Sequence, residues 1–113
     1  MDVSPAHQAV EMGLSKELYE LLKAGADVHE EHDGLTLLHH ALDVEIDAVR
    51  QTGAEFHADM TTLLLLMGAD PTRRSHGGRG VSSEHVAFVE GHWLALLHFE
   101  EWKRAHPTST LVS

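Results

Sequence analysis

Apolar residues recur along this chain at three- and four-residue intervals, in short runs broken by glycine. Leu18, Leu21 and Leu22 form one stripe, Leu38, Ala41, Leu42, Ile46 and Val49 a second, and Phe56, Met60, Leu63, Leu64 and Met67 a third. Near the end, Val86, Phe88, Val89, Trp93, Leu96, Leu97 and Phe99 supply most of the large apolar groups. Such spacing gathers apolar side chains on one side of a helix, so the pattern predicts an all-α chain of short amphipathic helices. The polar positions set the ends. Ser4 can cap a helix, Pro5 fits its first turn, Gly13 stops it, and Gly25 stops the helix that follows. The resulting pair of antiparallel helices cannot bury its apolar side alone and requires stacked neighbours.

Copies of this unit follow. Thr36, His39 and Ala41 repeat the offsets of Ser4, His7 and Ala9, and Gly68, Ala69 and Asp70 repeat Gly25, Ala26 and Asp27. Ser82, His85, Ala87 and Gly91 make a third start. The chain thereby resembles the ankyrin repeat, whose signature is T-P-L-H-x-A followed by G-A-D about twenty residues later. The resemblance implies a solenoid of stacked antiparallel helix pairs joined by short hairpin-like loops. It divides residues 1–106 into one domain of three repeats, at about 4–33, 34–78 and 79–106, with 107–113 as a disordered tail. It further implies that His7, His39 and His85, which share one repeat position, bond loop backbone and order the stack.

The second repeat is enlarged. Ser4 and Gly25 are 21 residues apart, but Thr36 and Gly68 are 32 apart, so 11 residues are inserted. That is about three helical turns, and the segment reads as two longer helices turning at Gln51, Thr52 and Gly53. Their overhang either folds back on the third repeat or forms an interface, because Val44, Ile46, Val49 and Phe56 would otherwise be exposed. In the first repeat Glu17 and Glu20 suit the polar outer side of a terminal unit. In the last, the aromatic residues suit a cap over the final interior surface, while an exposed Trp93 or Trp102 would mark a binding hot spot.

Composition narrows the chemistry. No cysteine is present, which excludes disulfides and thiolate metal sites and fits a reducing compartment. The start of the chain has neither a basic leader nor a long apolar run, and Leu63 to Leu66 is too short to span a bilayer. The expectation is a cytoplasmic, monomeric protein with no membrane association. The formal charge is −10. Residues 1–70 carry fourteen acidic and three basic side chains, whereas residues 71–83 carry Arg73, Arg74 and Arg79 and no acid. An acidic surface repels phosphate backbones, so nucleic acid is not expected as a partner and a basic protein is.

Two polar segments could hold ligands. His29, Glu30, Glu31, His32 and Asp33 crowd the first finger, and imidazole with carboxylate suits divalent transition metals. The H-E-x-x-H spacing is missed by one residue, so no metal is expected there. The segment from Pro71 to Val81 is Gly-rich and basic and precedes a helix, as phosphate cradles do, but the P-loop pattern is absent. The function that follows is protein binding through the concave side, without catalysis or cofactor, in the manner of an inhibitor or immunity-type protein for a basic partner. The alternative is a metal-dependent hydrolase built on the finger histidines. The partner-binding residues expected from the fold are Glu11, Met12, His29, Glu31, His32, His40, Asp43, Val44, Arg73, Arg74, Val89 and Glu90.

Overall fold

In the computed structural model, which describes residues 3–107, three hydroxyls start three helices. Ser4, Thr36 and Ser82 sit in extended backbone, and each side chain accepts a hydrogen bond from the N–H three residues on, at 3.2, 3.2 and 3.0 Å. This satisfies a donor that the helix itself cannot. In chain order the elements are α1 (Pro5–Glu11), α2 (Ser15–Lys23), β1 (Glu31–His32), β2 (Leu35–Thr36), α3 (Leu37–Thr52), α4 (Asp59–Leu66), α5 (Ser75–Gly78), α6 (Ser83–Glu90) and α7 (Trp93–Ala105). The described chain is mostly helical.

The helices lie in two layers. Each capped helix packs on the one that follows it, α1 on α2, α3 on α4 and α6 on α7. Across the pairs, α1 packs on α3 and α3 on α6 in one layer, and α2 on α4 and α4 on α7 in the other. Small residues allow this approach. Ala9, Ala41 and Ala87, at equivalent positions of the three capped helices, are completely buried, and Leu18, Leu38, Leu42, Leu64 and Phe99 fill the space between layers. Glu17 and Glu20 point to solvent on the outer helix of the first pair. Among the described residues no helix is long and apolar enough to cross a membrane.

β1 and β2 form a two-stranded antiparallel hairpin, with Glu31 opposite Thr36 and His32 opposite Leu35. Asp33 and Gly34 make its turn with φ of 53° and 82°, a left-handed pair that matches the twist of a tight hairpin. The second finger docks on the first. His76 N–H donates to the Gly34 carbonyl at 2.6 Å and Ser75 N–H to the Val81 carbonyl at 2.9 Å.

Three expectations require correction. Only the first of the two enlarged helices is long: α3 has 16 residues and α4 has 8. Gly53 ends α3 in a left-handed conformation, and the following residues cross irregularly to place the Phe56 ring on His92, at 4.4 Å between centroids. The overhang thus folds back. The aromatic end is not sealed: Phe99 is buried, but Phe88 is 72%, Val89 61%, Trp93 58% and Leu97 48% exposed. No further helix pair packs on that side among the described residues, so an apolar helix surface there stays in water. Third, His85 is exposed, unlike His7 and His39. Both buried rings bond a carbonyl of a finger that follows their own helix pair, and the described chain has no finger after α7. The expected disordered tail lies, from residue 108 onward, outside the described residues.

Candidate interaction groove

The inserted residues lengthen α3, and the lengthened helix floors a groove. His40, Asp43, Val44, Asp47, Ala48 and Gln51 recur at three- and four-residue steps along it, so they share one side. Gln8 and Glu11 from α1, His32, Asp33 and Leu35 from the hairpin, and Val86 and Glu90 from α6 complete the walls of a depression of about 1200 Å³. Its charge is one-sided. Glu11, Asp33, Asp43, Asp47 and Glu90 line it, and among the described residues Arg50 is the single Lys or Arg beside them, already engaged with Glu90. Val44, Ile46, Leu35 and Val86 give it an apolar component.

Of the residues expected to bind a partner, Glu11, His32, His40, Asp43, Val44 and Glu90 meet in this groove. Met12, His29, Glu31, Arg73, Arg74 and Val89 do not line it. Glu31 is turned toward the second finger, where its carboxylate accepts the Gly77 N–H at 3.0 and 3.2 Å. This donor belongs to the Gly-rich loop read as a possible phosphate cradle, so an internal carboxylate occupies part of that loop's donor set. Arg74 bridges to Ser82 through backbone, and Arg73 is exposed. Asp47 and Arg50 were missed, although their spacing from Asp43 along a helix was readable once the insertion was assigned to α3.

At one end of the groove, side chains of α1 and α3 and the backbone carbonyl of Glu30, just before β1, form a continuous chain of hydrogen bonds. Glu11 Oε1 lies 2.7 Å from His40 Nε2, His40 Nδ1 lies 2.9 Å from His7 Nδ1, and His7 Nε2 lies 3.2 Å from the Glu30 carbonyl oxygen. The His32 ring centroid is 5.7 Å from that of His7. Burial holds the His7 pKa below its ordinary value, with the bond to the Glu30 carbonyl acting in the opposite direction. His39 is also lowered by burial, against its Nε2 bond to the Val81 carbonyl at 2.7 Å. Its Nδ1 is 2.7 Å from the Thr36 hydroxyl. In the first finger, His29 N–H donates to Asp27 Oδ1, and His32 lies 3.5 Å from Asp33. Among the described residues, no three His, Asp or Glu side chains gather as a metal ligand set.

A second polar cluster is closed off inside the helix layers. Glu45 accepts from His92 Nε2 and from the Thr61 hydroxyl, each at 2.8 Å, and from the Thr61 N–H at 3.2 Å. Because His92 Nδ1 accepts the Ala95 N–H, its proton sits on Nε2. All three side chains are almost completely buried, so the cluster fixes how α3, α4 and α7 meet and offers no access to a substrate. Nothing in the periodicity marks Glu45 as buried, since a lone carboxylate is ordinarily a surface residue.

Compared with protein-family models the chain matches none, and no curated protein matches it.

Proposed function

We propose that this chain is an ankyrin-type repeat protein that binds a basic segment of another protein in the groove floored by α3. The two helix layers, the three equivalent caps and the hairpin finger support the ankyrin reading. The observation that carries the binding reading is the charge of the groove: five carboxylates with Arg50 as the single Lys or Arg, already held by Glu90. One-sided charge beside half-buried apolar side chains suits a Lys- or Arg-bearing surface with an aliphatic stem to bury. Masking a basic partner in this way is the action of an inhibitor or immunity-type protein, and the reading includes no catalytic step.

The test is association with hexalysine, followed by calorimetry at low and physiological salt. The reading expects binding that weakens as salt rises and that falls at least several-fold in the Asp43→Asn/Asp47→Asn double variant, whose two positions are exposed. Unchanged affinity in that variant would place the interaction elsewhere and defeat the proposal.

A further inference from the structure

The hydrogen-bond chain at the end of the groove has a proton requirement that follows from what each atom can do. A carbonyl oxygen only accepts, so His7 Nε2, at 3.2 Å from the Glu30 carbonyl, must carry a proton. A neutral His7 then presents a bare Nδ1. For the 2.9 Å contact between the two Nδ1 atoms to be a hydrogen bond, His40 Nδ1 must donate. On the other side of the same ring, His40 Nε2 faces the Glu11 carboxylate at 2.7 Å, and an ionised carboxylate also only accepts. Both His40 nitrogens are therefore donors. The chain closes only when it holds one proton more than two neutral imidazoles and an ionised Glu11, and with that carboxylate ionised the extra proton lies on one of the two rings.

We propose that this proton is a latch that regulates the groove: with it, His40 ties Glu11 and His7 of α1 to α3, and without it a neutral His40 keeps only one of those two bonds and leaves Glu11 an uncompensated carboxylate at the groove mouth. The proposal rests on the reading of the groove as a site for a basic partner. The groups facing His40 are His7 and Glu11 on α1, Glu30 and His32 on the hairpin arm, and Asp43 one turn further along α3. Two features agree with His40 rather than His7 as the holder of the extra proton. His7 is completely buried, and burial lowers its affinity for a second proton. His40 retains partial contact with the groove, and its partner Glu11 is 67% exposed.

The direction is fixed by charge. On the acid side the His40 and Glu11 pair is neutral overall. Loss of the proton makes the groove mouth more negative by one charge and removes one link between α1 and α3. Capture of a basic partner then strengthens as pH rises, while the latch's contribution to the α1–α3 contact fades.

Glu11→Gln separates the latch from ordinary packing. A Gln amide can donate to an unprotonated His40 Nε2, so the same chain closes around a neutral His40 with its proton on Nδ1. The experiment uses the full chain with histidine labelled with ¹⁵N, in long-range ¹H–¹⁵N spectra between pH 5 and pH 8. At a pH where His7 is the neutral tautomer protonated on Nε2, the native His40 should be doubly protonated, and His40 in E11Q should be the neutral Nδ1–H tautomer. A native His40 that is neutral while the chain is closed, or an E11Q spectrum that leaves its state unchanged, overturns the latch. Hexalysine binding supplies the second readout. Native affinity should rise several-fold more between pH 6 and pH 7.5 than that of E11Q, the other histidines contributing equally to both. Equal slopes overturn the regulation while leaving the groove reading in place. No hexalysine binding at either pH overturns the groove reading and the regulatory role with it, whatever the tautomers are.

Discussion

Glu45 and His92, 47 residues apart in sequence, meet at 2.8 Å with side-chain exposures of 2% and 0%. The contact is the point at which the enlarged second pair is keyed to the third. It joins α3 to the start of α7, and the Phe56 ring covers the imidazole from the other side.

Removing one partner leaves the other buried without its hydrogen bond. Glu45→Ala or His92→Ala should each cost about 3–5 kcal/mol, read from urea or thermal unfolding. Because the two groups share one network, the double variant should cost clearly less than the sum of the singles. Additive losses would mean that the two side chains do not act together.

Acid should weaken the fold before the carboxylates titrate. The His7 and His39 pKa values are lowered by burial, so below about pH 6.5 the unfolded chain binds protons that the folded chain resists. Their contribution is fully present above that value and is lost as pH falls toward their folded pKa. The melting temperature should therefore decline as pH falls from about 6.5. A flat profile across that window would exclude the effect.

Gly34→Ala should loosen the contact between the two fingers. Gly34 has φ of 82°, and a Cβ there would run into the His76 ring. Strain of about 1–3 kcal/mol is expected from the backbone conformation alone, and the ring must also move. Hydrogen exchange should accelerate at the His76 and Gly77 amides, which bond Gly34 and Glu31, while α2 and α4 keep their protection.

Replacing residues 43–54 by a short turn should abolish cooperative unfolding rather than trim a protrusion. The excision removes buried Glu45 and Ile46 along with the groove floor, and large losses of this kind come from unpaired buried groups and cavities. A melt as sharp and as high as that of the intact chain would show the insertion to be peripheral.

The ends and kinds of the helices were readable because their causes are local. Ser4, Thr36 and Ser82 each reach an N–H three residues away, Gly25, Gly53 and Gly91 take up positive φ just past helices, and apolar spacing fixes which side of a helix can be buried. Half of the expected groove residues followed from the same regularity, since a repeated unit puts equivalent positions on the same side. Tertiary structure decided the rest. His7, His39 and His85 occupy one repeat position, yet only the first two have a finger carbonyl within reach. Phe99 and Phe88 are equally apolar, but Phe99 lies in the core and Phe88 in water. Glu45 became an interior residue because His92 and Thr61 arrive from other helices to bond it, and local pattern carries no information about partners that distant in sequence.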